Sequence, residues 1–383
     1  MPIKTENLLR VGQGDFELNR LPKRPLELLR AWDAADEYLL NTLSEDLKPS
    51  TDARILIFND SFGALAVALS SFQPQTVSDS YLSQQATRLN LAANSLPEHS
   101  VTLINGLESL QGDFDLVLIK VPKTIALLED QLIRLHPHLL PSTQIIVAGM
   151  IKTLPPSIWK MLERLVGPTT TALARKKARL IFASPDPELV TPANPYPVCY
   201  RLEDSDYLIS NHANVFSRES LDIGTRFLLR HLPVIKGACD IIDLGCGNGL
   251  LGLIAAERNS GAAVHFVDES FMAVASAKEN FYRAFGQERN ATFRVGDGLK
   301  DFEPASADLI LCNPPFHQQN TMSDQIASSL FKDSRKVLKT GKQLWIIGNR
   351  HLNYHINLNQ LFGKHTVVAS NAKFVILNAG AAT

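Results

Sequence analysis

Short apolar runs alternate with longer helix-like stretches along most of this chain. Leu309, Ile310, Leu311 and Cys312 form one unbroken run, the mark of a strand buried on both faces. The segments "ILIF", "DLVLI", "QIIVAG", "IIDL", "AVHFVD" and "LWIIG" read the same way. Strands alternating with helical stretches predict βαβ units on a parallel sheet, an α/β fold. A proline-rich segment, "SPDPELVTPANPYP" over 184–197, breaks the pattern and predicts a linker. The expected organisation is a domain over 1–188, a linker at 189–195 and a second domain over 196–383.

The two halves repeat each other. "ILIFNDSFGAL" (Ile55–Leu65) aligns with "IIDLGCGNGLL" (Ile241–Leu251), and "SDSYLSQQATRLN" (Ser78–Asn90) with "DESFMAVASAKEN" (Asp268–Asn280). "DLVLIKVPK" (Asp115–Lys123) aligns with "DLILCNPPF" (Asp308–Phe316), and "QIIVAGM" (Gln144–Met150) with "QLWIIGN" (Gln343–Asn349). Four matches in one order predict a duplicated Rossmann-like fold. The first copy has lost what the second keeps. Gly245, Gly247 and Gly249 leave only Gly63, Asp268 becomes Ser78, and Asn313-Pro314-Pro315-Phe316 becomes Lys120-Val121-Pro122-Lys123.

The second copy carries the candidate chemistry. "IIDLGCGNGLLG" reads as a buried strand, a glycine turn and a helix start, where backbone approaches a ligand closely. Asp268 ends the next strand, nineteen residues after Gly249, and a carboxylate there accepts both hydroxyls of a ribose. Asp297 follows a third strand and is placed to reach an adenine edge. Gly247, Gly249 and Gly252 also satisfy GxGxxG, so a nicotinamide-dependent oxidoreductase is a rival reading. Against it, Asp243 precedes the turn where its carboxylate can meet a cationic amino-acid group. Such a site fits S-adenosylmethionine, which has an adenosine and a methionine tail but no pyrophosphate.

Asn313-Pro314-Pro315-Phe316 ends the "LILC" strand, on the ligand side of an open parallel sheet. Two prolines fix the chain direction. The Asn313 amide oxygen and the Pro314 carbonyl can then accept both hydrogens of an exocyclic amine, and Phe316 can stack on a base.

Composition limits what else the chain does. It is 45% hydrophobic and 20% charged with a formal net charge of −1, so any nucleic-acid surface must be a local patch. None of the cysteines, Cys199, Cys239, Cys246 and Cys312, makes a CxxC pair or a metal-spaced cluster with His, so no metal is expected. The N-terminus has no apolar stretch of signal-peptide type, and no apolar run is long enough to span a bilayer. The expected location is the cytoplasm.

These residues resemble the class I S-adenosylmethionine-dependent methyltransferases of nitrogen. The duplicated, half-decayed arrangement is similar to the bacterial rRNA guanine-N2 methyltransferases of the RsmC and RlmG type. "AWDAADEYLL", "IKVPKTIALLE", "NHANVFSR", "VDESFMAVAS" and "NPPFHQQ" look specifically like RlmG. The resemblance implies methyl transfer from S-adenosylmethionine to the N2 amine of one guanine in 23S rRNA, naked or partly assembled, with no obligate protein partner. A 16S rRNA target of the RsmC kind is the alternative. The second domain would be catalytic. Cofactor contacts would come from Asp243, Gly245, Cys246, Gly247, Asn248, Gly249, Asp268 and Asp297, with Phe216 as a cover; a core role for Phe216 is equally open. The degenerate first domain would bind RNA through Lys120, Lys123, Arg175, Lys176, Lys177 and Arg179. A charge run is otherwise a solvated face.

Overall fold

The two halves build the same sheet. The structure, a computed structural model, describes residues 7–23, 27–235, 237, 239–314 and 321–380. The chain divides into two compact units between Tyr196 and Pro197. With strands counted in chain order within each seven-stranded sheet, both sheets read 3-2-1-4-5-7-6. The strands are Ile55–Phe58, Gln75–Ser78, Thr102–Asn105, Phe114–Lys120, Leu139–Met150, Thr169–Thr171 and Ala178–Ala183 in the first unit. In the second they are Cys239–Leu244, Ala262–Asp268, Ala291–Val295, Ala307–Cys312, Leu338–Asn349, Thr366–Ser370 and Phe374–Gly380. The first five run parallel, and the seventh runs antiparallel to the fifth and sixth. Among the described residues no helix is long and apolar enough to cross a membrane.

The unbroken apolar runs follow from covering both faces. In the second unit Ile241, Leu309, Leu311 and Ile347 pack into one core, while Ile242, Leu244, Ile310, Cys312 and Ile346 pack into another. Successive side chains point to opposite faces of a strand, so helices on both sides demand apolar residues at every position. The first unit does the same with Ile55, Ile57, Leu116 and Leu118 against Leu56, Phe58, Val117 and Ile119.

Each unit also begins with an antiparallel hairpin that periodicity did not single out. Leu8–Val11 pairs with Gly14–Glu17, and Val198–Arg201 pairs with Leu208–Asn211. One buried asparagine pins the chain just beyond or within each hairpin. The Asn280 amide accepts from Ser210 N at 2.7 Å and donates to Ser210 O at 2.9 Å and Asn248 O at 3.0 Å. Its counterpart Asn90 accepts from Asn19 N at 2.8 Å and donates to Asn19 O at 2.9 Å and Phe62 O at 2.7 Å. An amide side chain acts here as a piece of strand backbone. Asn280→Ala should orphan two buried backbone groups of Ser210 and the part-buried Asn248 carbonyl, and lower the melting transition of the second unit. An unpaired buried group costs roughly 1–3 kcal/mol, so a calorimetric scan unchanged from the parent would remove this role.

Candidate cofactor and amine site

The order of each sheet reverses between its first and fourth strands, which run parallel and whose following connections lead to opposite sides of that point. Ligands bind at such a switch, outside the carboxyl ends of the strands. In the second unit Leu244 and Cys312 stand side by side there. The chain beyond each of them carries the glycine turn and Asn313.

The turn is held by the neighbouring strand. Gly245 N and Cys246 N donate to Val267 O at 2.8 and 3.0 Å. Gly245 and Gly247 have φ of 69° and 53°, and a Cβ on either would enter open space. The space before that backbone is therefore kept clear of side chains. Gly252 serves packing instead: a Cβ there would lie 2.3 Å from the Phe266 ring. Asn248 turns away from the open side, its amide donating to Asn211 Oδ1 at 2.9 Å. Its side chain fastens the turn to the hairpin. Cys246 is buried, and burial pushes its thiol well above the ordinary range.

Two carboxylates flank the turn. Asp268 accepts from Gly247 N and Ser270 N, both at 3.0 Å, and keeps lone pairs for further donors. Burial raises its pKa against the pull of these N–H groups. Asp243 is fully buried. Its Oδ2 accepts from Gly252 N at 2.8 Å, while Oδ1 has no donor among the described residues. Burial, followed by the opposing pull of Gly252 N–H and the push of Asp268, leaves its pKa at about 8. An ammonium group is the partner that would restore the charge, so the carboxylates fit the methionine tail and ribose of S-adenosylmethionine. Gly296 N donates to Asp268 O at 3.0 Å and brings the end of the third strand alongside. Asp297 there pairs with Lys300. Phe216 is 65% exposed, which removes a core role and leaves its ring available to cover a ligand.

Asn313 is half-buried with its two ends treated differently. Nδ2 donates to Thr225 Oγ1 at 3.0 Å. Oδ1 is buried and lacks a donor among the described residues. Pro314 is buried beside it. Pro315 and Phe316 lie outside the described residues.

The first unit fills the same place with its own side chains. Asp60, where the second unit has Cys246, accepts from Gly63 N, Ala64 N, Leu65 N and Ala66 N at 2.8–3.0 Å. Asn59 exchanges two hydrogen bonds with Gln131 at 2.9 and 2.8 Å. Lys120 reaches Asp33 at 2.8 Å and Asp36 at 2.7 Å, and its side chain is 14% exposed. Lys120 is therefore held inside the unit, at odds with the expected phosphate contact. The lysine that continues the sequence pattern, Lys123, is exposed.

The other expected RNA contacts gather on one hairpin. Arg175 and Ala178 bridge across a two-residue turn, and Lys176 and Lys177 occupy it at φ of 48° and 64°. Such turns favour Asn-Gly, and a left-handed non-glycine residue costs roughly 1–2 kcal/mol. Both lysines are exposed, Lys176 reaching Glu37 at 2.8 Å. Arg175 lies 4.9 Å above the Tyr38 ring, while Arg179 is half-buried at the hairpin base.

The sheet order, the glycine turn and the acid ending the second strand define a class I methyltransferase domain. Residues 206–378 match the family profile described as the methyltransferase small domain, and residues 6–187 match the RLMG N-terminal domain. The chain belongs to the ribosomal RNA large subunit methyltransferase G family. It is 49% identical to the Stutzerimonas stutzeri member, over 97% of this chain and 99% of that relative. It is 52% identical to the one from Pseudomonas aeruginosa, over 95% and 97%. The fold is shared with a 16S rRNA N2 methyltransferase, RsmC of T. thermophilus, solved with AdoMet and guanosine. That comparison gives a TM-score of 0.75 at 21% identity, covering 97% of each chain. Family membership sets the oxidoreductase reading aside.

The buried acid yields a test by proton linkage. Because folding raises the Asp243 pKa from 3.8 to about 8, the folded chain holds a proton that the unfolded chain releases. Its contribution to stability falls as pH rises through that window. Binding an ammonium requires the ionised form, so S-adenosylmethionine should displace about one proton near pH 7. Affinity should rise between about pH 6 and about pH 8. Asp243→Asn should abolish the proton release and weaken binding by about 1.5–3 kcal/mol. It should also raise the melting temperature of the free protein at pH 8 more than at pH 4. Calorimetry in buffers of different ionisation enthalpy reads the proton count. Equal release in parent and variant would exclude Asp243.

Proposed function

We propose that this chain transfers the methyl group of S-adenosylmethionine to the exocyclic N2 of one guanine in 23S rRNA. The observation that carries this reading is the buried Asn313 oxygen, without a donor among the described residues, at the carboxyl end of a core strand beside the glycine turn. The names of the relatives, large subunit enzymes, favour 23S over 16S rRNA. When bound, S-adenosylmethionine supplies an electrophilic methyl on a sulfonium. The chain does the positioning. Asp268 receives the ribose hydroxyls, Asp243 faces the amino group and Phe216 covers the cofactor. Asn313 Oδ1 and the Pro314 carbonyl accept the two amine hydrogens, which aims the nitrogen lone pair. Phe316 stacks on the base. An exocyclic guanine amine is a weak base and needs no strong base beside it; near-attack positioning contributes about 7–11 kcal/mol.

The residue 197–383 unit is catalytic in this reading, and the residue 1–196 unit grips RNA. The setting is cytoplasmic, on naked or partly assembled rRNA. Unmodified rRNA, labelled S-adenosylmethionine and mapping of N2-methylguanine test the activity. One guanine in 23S rRNA should be labelled. Label confined to 16S rRNA, or to another atom, would overturn the assignment. Asn313→Ala should slow turnover by about a hundredfold or more and leave cofactor affinity near the parent's.

The strained lysine turn gives a second test. Replacing Lys176 with Asn and Lys177 with Gly suits the turn and removes two charges. The variant should match or exceed the parent in stability. Its RNA affinity should fall, with a salt slope smaller by up to about 0.7 per lost phosphate contact. Superimposable salt titrations would make the turn a solvated face.

A further inference from the structure

We propose that Thr225 and Asp222 form a positioning relay that fixes which end of the Asn313 amide meets the target amine. This rests on the reading that Asn313 Oδ1 accepts from that amine. Asp222 caps the helix Ile223–Leu229, its Oδ2 accepting from Thr225 N at 2.9 Å and from the Thr225 hydroxyl at 3.3 Å. A hydroxyl has one hydrogen. With that hydrogen on the carboxylate, Thr225 Oγ1 can only accept, and Asn313 Nδ2 donates to it at 3.0 Å. A flipped amide would set oxygen against oxygen at Thr225 and present N–H groups to the amine. The relay therefore selects the accepting orientation before substrate arrives.

The first unit supplies an independent observation. There the helix Ala34–Thr42 is capped by Asp33, and its third residue is Asp36. These positions correspond to Asp222 and Thr225. Both acids hold Lys120, the counterpart of Asn313, at 2.8 and 2.7 Å. The two copies thus share one tether, from a cap and the third helical residue to the end of the fourth strand. Its chemistry differs in step: two acids face a lysine where the site is filled, and an acid-oriented hydroxyl faces an amide where an oxygen stays free. A packing contact alone would not require the partner to change with the function of the strand end.

The test uses the full chain with in vitro transcribed 23S rRNA. Thr225→Val keeps the shape and removes the hydroxyl. It should lower kcat by about ten- to a hundredfold, the range expected of a small misplacement, with the KM for RNA and the cofactor affinity unchanged. Thr225→Ser should restore turnover. In an Asn313→Ala background, Thr225→Val should add no further loss, because both act through one amide. Thr225→Ala repeats the test should the valine variant not fold, with calorimetric cofactor binding as the check. Parental kcat in Thr225→Val and Thr225→Ala beside an inactive Asn313→Ala would overturn the relay and spare the role of Asn313. Full turnover in Asn313→Ala would overturn both.

Discussion

In each sheet the residue at the carboxyl end of the fourth strand, its last in the first unit and the one just beyond it in the second, is tied to the first turn of the helix leading into the sheet, and the state of the site follows from that tie. In the second unit the tie is neutral: Thr225 accepts from Asn313 at 3.0 Å and leaves an amide oxygen buried and unanswered. In the first it is ionic, with Lys120 between Asp33 and Asp36. Burying a lone ammonium is costly unless carboxylates surround it, so Lys120 commits its neighbours as well. Asp36 is held at a pKa of about 6, by burial first, with Lys120 pulling down and Asp33 and Asp60 pushing up. Asp60 then turns its oxygens to four N–H groups of the helix start. At this place the first copy answers the charges of Lys120, Asp33 and Asp60 from within.

The second unit leaves polar groups unanswered. Asp243 Oδ1 and Asn313 Oδ1 are buried oxygens without a partner among the described residues, each a cost to the empty fold of about 1–3 kcal/mol. Other buried polar atoms also lack a partner among the described residues, Thr76 Oγ1 and Asn349 Oδ1 among them. The Asp243 and Asn313 oxygens differ in lying together beside the glycine turn, where a ligand that donates to them gains what the empty fold forgoes. The pairing is chemically specific. A carboxylate held near neutrality of charge suits a cation, and an amide oxygen suits an N–H donor. A nearly neutral chain can hold both because each is a local arrangement.

The sequence made the architecture legible because buried parallel strands must be apolar throughout. The aligned residues keep their roles: Gly63 and Gly249 both start helices at positive φ, and Asp115 and Asp308 accept from the backbone N–H of the aligned residues Arg54 and Asp240. The glycine turn, Asp243, Asp268 and Asn313 were also readable, since each is adjacent to a strand that periodicity marks. The tethers were not. Lys120 lies 87 residues from Asp33, and Asn313 lies 88 from Thr225. Lys120 reads in sequence as one more cation, because nothing near it reveals the acids it meets. Asp222 three residues before Thr225 signals a helix cap, yet a cap alone says nothing of what the hydroxyl faces. Asn248 shows the reverse: its place in the turn is local, but the direction of its side chain is set by Asn211.

Duplication also separates residues kept for the fold from residues kept for chemistry, within one chain. Gly63 survives in a copy whose turn is filled, and a Cβ on it would come within 2.8 Å of Thr87. Gly249 meets Ala277 in the same way, at 2.7 Å. Helix packing is therefore sufficient to explain both. Asn90 and Asn280 likewise hold the same backbone groups in both copies. Gly245 and Gly247 have no such excuse. None of the described residues stands within 4 Å of the Cβ either would carry, and in the first copy Asn59 adopts a φ of 63° where Gly245 has 69°. The backbone shape at that position does not itself require glycine, since asparagine tolerates it. What asparagine does there is fill the space, through Gln131. Glycine at 245 is thus explained by the need to leave the space open, which is a property of a binding site rather than of a turn.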